Sequence, residues 1–372
     1  MPEFEQNNIP AISIGKLTDE LSKAYITVIE KGLPLRTMPS VMLWGPPGVG
    51  KSQAVRQIAR EIGLQTGKKT KLTDVRLLLF NPIDLRGIPT SNEDKTLAVW
   101  LRPKIFDMDS SEDVVNILFL DELSSAPQSV QAAAYQIALD RTVGEHKLPD
   151  NCIVIAAGNR VTDRSVAFKM PKALANRLLH IEAAVDFASW KKWAVENGIN
   201  EKVIGFLTFR QSYLTGFDAV SDDIAFPTPR TWEMVSDILN NIDPEIKNVY
   251  HLIAGLIGVG MALEFETWSR VCSSLPKVED IFDGKMPCAP KETDALYALT
   301  ASMTAYAKKH KDELDKIANS IKYADKLPPD FSVILLKDYM YLEKDYKNRL
   351  MTIPEFCKWL QAKGGLLNGS VR

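Results

Sequence analysis

Hydrophobic and polar positions follow two textures along this chain. In the first half, short apolar runs separated by polar and glycine-containing stretches predict buried strands at Val41-Met42-Leu43-Trp44, Asp74 to Phe80, Val114 to Leu120, Cys152 to Ala157 and Leu178 to Glu182. Between them apolar residues recur at helical spacing. Val55, Ile58, Ala59 and Ile62 share one face after Ser52, and Val130, Ala133, Ala134 and Ile137 share another within Pro127 to Asp140. Buried strands alternating with amphipathic helices predict an α/β fold, a parallel sheet flanked by helices. Ahead of the first strand, Thr18 or Asp19 is a candidate cap for a helix running to about Lys31, and Gly32, Pro34 and Pro39 break the chain behind it. Gly63 to Lys71 reads as a polar loop. Two further polar stretches read as hairpins, one returning through Thr96 to Trp100 and a smaller one at Arg141 to His146.

Beyond about Asp186 the texture becomes helical: Phe187 to Asn197, Asn200 to Leu214, Arg230 to Asn241 and Glu245 to about Cys272. A proline-containing linker is expected over residues 273–292. Helices follow at about 292–322, 332–346 and 353–363, with a short strand at Val333 to Leu336 as the alternative. The expected divisions are residues 1–186, 187–272 and 273–372. The longest apolar run, Leu252 to Leu263, is too short to span a bilayer and reads as a buried helix.

The candidate chemistry begins where the first strand ends. Gly45-Pro46-Pro47-Gly48-Val49-Gly50-Lys51-Ser52 matches the P-loop pattern G-x-x-x-x-G-K-[ST], with a strand before it and a helix from Gln53 after it. Glycines let backbone N–H groups close around phosphate oxygens, and the new helix presents its positive end. Lys51 should bridge the β- and γ-phosphates, and Ser52 should hold Mg2+. Gly45 to Ser52, with Gln53, are therefore the expected nucleotide-binding residues. The strand Val114 to Leu120 ends in Asp121-Glu122. Alone, that pairing would also fit a helix start with acidic residues in its first turn. Behind a P-loop it reads as Asp121 completing the metal shell through water and Glu122 activating the attacking water. The strand Cys152 to Ala157 ends in Gly158-Asn159, so the Asn159 amide could help hold that water, although a turn asparagine would look the same. In P-loop proteins the segment ahead of the first strand often covers the base, which makes Ala11-Ile12-Ser13 a candidate contact.

Bulk properties narrow the partners. The 372 residues carry a net charge of −2, with 45% hydrophobic and 25% charged residues, so the chain is globular and gives no general case for nucleic acid. Lys68-Lys69-Thr70-Lys71 reads as a solvated turn. Cys152, Cys272, Cys288 and Cys357 form no C-x-x-C pair and no zinc spacing, which suits a reducing compartment. The four histidines are scattered and read as structural or exposed. With no apolar leader visible in Met1 to Pro10, the expected location is cytoplasmic, with no membrane association.

GPPGVGKS, then ILFLDE, AAGN, ANR and TPR, in that order, resemble an AAA+ ATPase, and Asn81 to Gly87 resembles the start of the helix-2 insertion of its MoxR-like branch, within the dynein-related group. The resemblance covers roughly residues 10–240. It implies a P-loop NTPase core, an α-helical lid over 187–272 and a helical C-terminal extension. It implies that Lys51 and Ser52 belong to Walker A and Asp121 and Glu122 to Walker B. By the same resemblance Asn159 is sensor 1, Arg177 an arginine finger acting on a neighbour's ATP, and Arg230 sensor 2. It further implies ATP and Mg2+ as cofactors, a homo-oligomeric ring, usually hexameric, and a partner with a von Willebrand factor A domain in remodelling or maturing protein complexes. Two other readings remain: an ATP-gated scaffold with slow or partner-dependent hydrolysis, and a nucleic-acid-dependent NTPase.

Overall fold

The computed structural model describes residues 9–160, 170–216, 221, 223–272, 275–343 and 345–363. The chain divides into two compact units, one reaching to Asp186 and one comprising nearly all that follows from Phe187.

The first unit holds, in chain order, β1 (Ala11–Ser13), α1 (Ile14–Glu30), β2 (Val41–Trp44), α2 (Lys51–Thr66), β3 (Lys69–Arg76), α3 (Pro82–Arg86), β4 (Ile88–Ser91), β5 (Ala98–Leu101), β6 (Val114–Asp121), α4 (Gln128–Asp140), β7 (Thr142–Val143), β8 (His146–Lys147), β9 (Cys152–Gly158), α5 (Lys172–Ala175) and β10 (Leu179–Ala184). Six strands form one sheet in the order β1-β10-β2-β9-β6-β3, and every pairing is parallel. Side chains alternate faces along each strand. Val41, Leu43, Ile117, Phe119, Ile153 and Ile155 pack under α1 and α2 with Leu17, Leu21, Val55, Ile58 and Ile62. Met42, Leu118, Leu120, Val154 and Ala156 pack on the other face with Val130, Ala134 and Ile137 of α4. Both faces are thus covered, which is why these strands read as unbroken apolar runs. After β2 the chain crosses to the far edge and works back through β6 and β9, then passes β2 to reach β10. The carboxyl end of β2 is therefore a switch point, where open parallel sheets bind ligands.

Several local expectations fail in this unit. The leading helix starts at Ile14, with the Ser13 side chain accepting from the Lys16 N–H at 3.3 Å, while Thr18 is buried mid-helix and bonds back to the Ile14 carbonyl. The second strand is Lys69–Arg76 rather than Asp74 to Phe80, and Leu77–Leu79 form a 3-10 turn with Leu78 and Leu79 exposed. The supposed loop before it is the end of α2, closed by Gly67 at φ 70°, followed by this strand. β3 lies at the sheet edge and pairs only with β6, so it tolerates polar residues that hide it from a hydrophobicity pattern. Lys71, expected in a solvated turn, is on this strand and pairs with Asp109 at 2.7 Å.

Both hairpins form, β4 with β5 and β7 with β8. Side chains of the second grip the backbone of the first. The Trp100 N–H donates to Glu145 Oε1 at 2.8 Å, and His146 Nε2 donates to the Trp100 carbonyl at 2.7 Å. A Cβ on Gly144 would lie 2.6 Å from the Arg86 carbonyl oxygen, so only glycine allows this approach. Cys152 is fully buried, and its thiol is pushed up to about 11 by that burial.

The second unit is helical among its described residues: α6 (Phe187–Asn197), α7 (Glu201–Phe209), α8 (Pro229–Asn241), α9 (Ile246–Ile257), α10 (Val259–Cys272), α11 (Val278–Phe282), α12 (Thr293–Lys309), α13 (Leu314–Ala324), α14 (Pro329–Tyr339), α15 (Tyr346–Leu350) and α16 (Pro354–Lys363). The run expected to form one buried helix breaks at Gly258, φ 86°, and Leu252, Val259 and Leu263 are exposed. Val333 to Leu336 are helical, and the linker holds α11, whose Ile281 and Phe282 are fully buried. Among the described residues no helix is long and apolar enough to cross a membrane. Lys191 of α6 and Asp338 of α14 form a mostly buried ion pair at 2.8 Å, and burial raises the Asp338 carboxyl while Lys191 pulls it down. Lys191→Met should leave that carboxylate without its partner and lower unfolding stability by about 3–5 kcal/mol, read as an earlier denaturant midpoint. An unchanged midpoint would mean the pair contributes nothing.

Candidate active site

The turn between β2 and α2 is built on backbone that only glycine adopts freely. Gly45, Gly48 and Gly50 have φ of 151°, 75° and 106°. A Cβ on Gly45 would meet the Ala183 carbonyl oxygen of β10 at 2.7 Å, so the loop lies directly on the neighbouring strand. Val49 is buried in the core and anchors the loop, while Pro46, Pro47 and Gln53 are half-buried. The Ile14 side chain lies beside Gly50, which brings the segment after Ala11-Ile12-Ser13 next to the loop.

Lys51 is buried at 9% exposure, and its ammonium donates to the carbonyls of Gly45 at 2.6 Å and Pro46 at 3.1 Å and to Asn159 Oδ1 at 3.0 Å. At the next residue of α2, Ser52 Oγ donates to Asp121 Oδ2 at 3.0 Å. The other Asp121 oxygen accepts the Glu122 N–H at 2.9 Å. Glu122 has φ 61°, a left-handed conformation that costs a non-glycine residue of order 1–3 kcal/mol and is characteristic of functional turns. Its carbonyl accepts the N–H groups of Ser125 and Ala126, so the chain turns sharply as it leaves the strand.

Three residues not singled out from the sequence hold this turn. The Leu123 N–H donates to the Ala157 carbonyl of β9, and Ser124 Oγ donates to the Asn159 carbonyl at 2.9 Å. Buried Gln131 of α4 donates to the carbonyls of Ser124 and Ala126. A Cβ on Gly158 would lie 2.6 Å from Ser124 Oγ, so glycine is needed for the two strand ends to close up. The Leu123 and Ser124 bonds join the ends of different strands, β6 and β9, so nothing in the local sequence marks them.

Lys51, Ser52, Asp121, Glu122 and Asn159 thus come together at the carboxyl ends of β2, β6 and β9. Arg177 does not join them. It is about half exposed and pairs with Asp140 at the end of α4, 2.9 Å away. Together they edge a groove of about 420 Å³ between α4 and α5, whose lining includes Gln131 and Tyr135. Arg230 belongs to the second unit and is exposed on the first turn of α8, after Thr228, whose side chain accepts from the Thr231 N–H. The oxygen donors of Ser52 and Asp121 fit a hard cation such as Mg2+, which takes one or two protein ligands and fills its shell with water and phosphate oxygens.

A parallel sheet carrying this turn and these carboxylates at its switch point defines a P-loop NTPase core. The chain carries an AAA-family ATPase domain: residues 41–182 match the model of the ATPase family associated with various cellular activities. The ATPase family gene 2 protein homolog B of Homo sapiens is 30% identical over 148 residues, 37% of this chain and 17% of that protein. Chaperone MoxR1 of Mycobacterium tuberculosis is 28% identical over 143 residues, 37% of this chain and 34% of its own length, in agreement with the MoxR-like resemblance. These alignments thus span about a third or less of the curated relatives. Among solved structures, C. elegans PCH-2 aligns over 82% of this chain and 72% of its own at 14% identity and a TM-score of 0.35. A Thermotoga maritima RuvB mutant, P216G, aligns over 79% and 86% at 13% identity and a TM-score of 0.36.

Proposed function

We propose that this chain hydrolyses ATP as a ring-forming, MoxR-like AAA+ protein and uses the cycle to remodel or mature protein complexes. The observation that carries the reading is the convergence of Lys51, Ser52, Asp121 and Asn159 on one locus beside Glu122. Gly45 to Gln53 wrap the phosphates, and binding exchanges at least one of the Lys51 bonds for a phosphate oxygen. Ser52, and Asp121 through water, would hold Mg2+, which would neutralise charge on the phosphates. Glu122 takes the proton of the attacking water as the bond from the γ-phosphorus to its bridging oxygen breaks. Asn159 orients that water. Arg177 serves a neighbouring subunit's ATP, and Arg230 ties the lid to the γ-phosphate. In this reading the core runs to residue 186, the lid over 187–272 and a helical extension over 273–372. A homo-hexameric ring, a cytoplasmic setting and a partner with a von Willebrand factor A domain complete it. The match to a protein named Chaperone MoxR1 supports the chaperone-like role.

Turnover per subunit should rise with protein concentration, because each site would be completed by another copy. A flat profile would mean a site complete within one chain and would remove the ring from the reading. The pairing of Arg177 with Asp140 favours a second reading, an ATP-gated scaffold whose hydrolysis waits for a partner. A preparation inert alone at every concentration, but activated by a cellular fraction, would select it.

A further inference from the structure

We infer that His180 is a positioning residue that links the nucleotide loop to Arg177, so that the state of one site sets the finger offered to the next. The inference rests on the reading of Arg177 as a group acting on a neighbour.

Trp44 is the last residue of β2, immediately before Gly45. Its indole N–H donates to His180 Nδ1 at 2.9 Å, and the two rings stack with centroids 6.0 Å apart and planes 18° from parallel. An indole nitrogen can only donate, so Nδ1 must be the unprotonated nitrogen of His180. The ring proton is then on Nε2, which lies 2.7 Å from the Ala175 carbonyl and donates to it. One neutral tautomer satisfies both bonds, and it joins two elements that are far apart in sequence.

Each end of this bridge reaches a group of the proposed mechanism. On one side, the Gly45 carbonyl, next in the chain after Trp44, accepts the Lys51 ammonium at 2.6 Å. Phosphate binding competes for that ammonium and so acts on the backbone beside Trp44. On the other side, Ala175 ends α5, and Arg177 follows two residues later with its N–H bonded to the Leu174 carbonyl at 3.1 Å. α5 has four residues. A single turn has no stability of its own, so its placement is decided by tertiary contacts such as the packing of Leu174 on the core and the His180 bond. Trp44 and His180 are both half-buried, which shields the bridge from competing water. The path therefore runs from Lys51 through Gly45, Trp44, His180 and Ala175 to Arg177. Beyond Gly45, which belongs to the nucleotide loop itself, the intervening residues Trp44, His180 and Ala175 have no assigned contact with substrate.

The test uses the full chain with His180→Phe, which keeps an aromatic ring and removes both bonds, and Trp44→Phe, which removes the indole N–H. Each variant is assayed alone and mixed with Glu122→Gln subunits, which keep Arg177 but lack the base. Misplacement by about 1 Å can cost a hundredfold, so His180→Phe alone should lose ~10–100-fold in turnover at saturating ATP. Binding of a fluorescent ATP analogue and the circular dichroism spectrum should be retained. Mixing should restore turnover to the His180→Phe sites, because the neighbour supplies a well-placed arginine; a general loss of structure would not be rescued this way. Trp44→Phe should show a smaller loss with the same rescue. Undiminished turnover in both variants would overturn the inference. So would a loss that mixing does not restore, provided that Arg177→Ala is restored by the same mixing. If Arg177→Ala is not restored, the finger reading itself falls and this inference falls with it.

Discussion

Arg177→Ala is expected to lower turnover by ~10³–10⁵-fold, the range for removal of an arginine that neutralises charge on a transferring phosphoryl group. The structure makes this a clean experiment. Arg177 and Asp140 are each 54% exposed, and exposed pairs contribute only about 0–1 kcal/mol, so the variant should fold and melt almost as the parent does. Loss of turnover with an unchanged melting profile would then report on the reaction. Nucleotide affinity, measured by titration of a fluorescent analogue, should change little, because Arg177 pairs with Asp140 and, among the described residues, bonds to none of those around Lys51. A variant as active as the parent at every protein concentration would exclude Arg177 from the chemistry.

The second large effect is expected at Glu122. Gln has nearly the shape of Glu and accepts the same left-handed backbone, but it cannot take a proton from water. Glu122→Gln should therefore lose about 10²–10⁴-fold in turnover, the usual worth of a general base, while ATP stays bound. Retention of radiolabelled ATP on the isolated variant, without release of phosphate, is the observation to make. Substantial remaining turnover would assign the base elsewhere. Because the Asp121 carboxylate accepts the residue-122 N–H through the backbone, the substitution leaves the Ser52–Asp121 contact in place.

What could be read from sequence was what is written contiguously. The P-loop, the apolar strand ending in Asp121-Glu122 and the strand ending before Asn159 are local patterns, and the fold brings their ends together because parallel strands deliver their carboxyl ends to one edge. β3 escaped notice because an edge strand needs no apolar alternation, and α9 and α10 looked like one helix because a glycine inside an apolar run gives no sign of its φ. Asp140, Gln131, Ser124 and His180 could not have been found by pattern. Their roles arise from hydrogen bonds to residues 5 to 136 positions away in the chain, and a lone Ser, Gln or His carries no local mark of such a partner.

The grip of Glu145 and His146 on the main chain of Trp100 bears on how this protein could diversify. Two free hairpins would swing on separate hinges, whereas two tied through main-chain atoms share their rigid-body motion. The tie consults no side chain of the first hairpin, so the residues at its tip can be exchanged over generations without unfastening it. The tip can thus change in sequence while the fastening of the two hairpins is inherited intact.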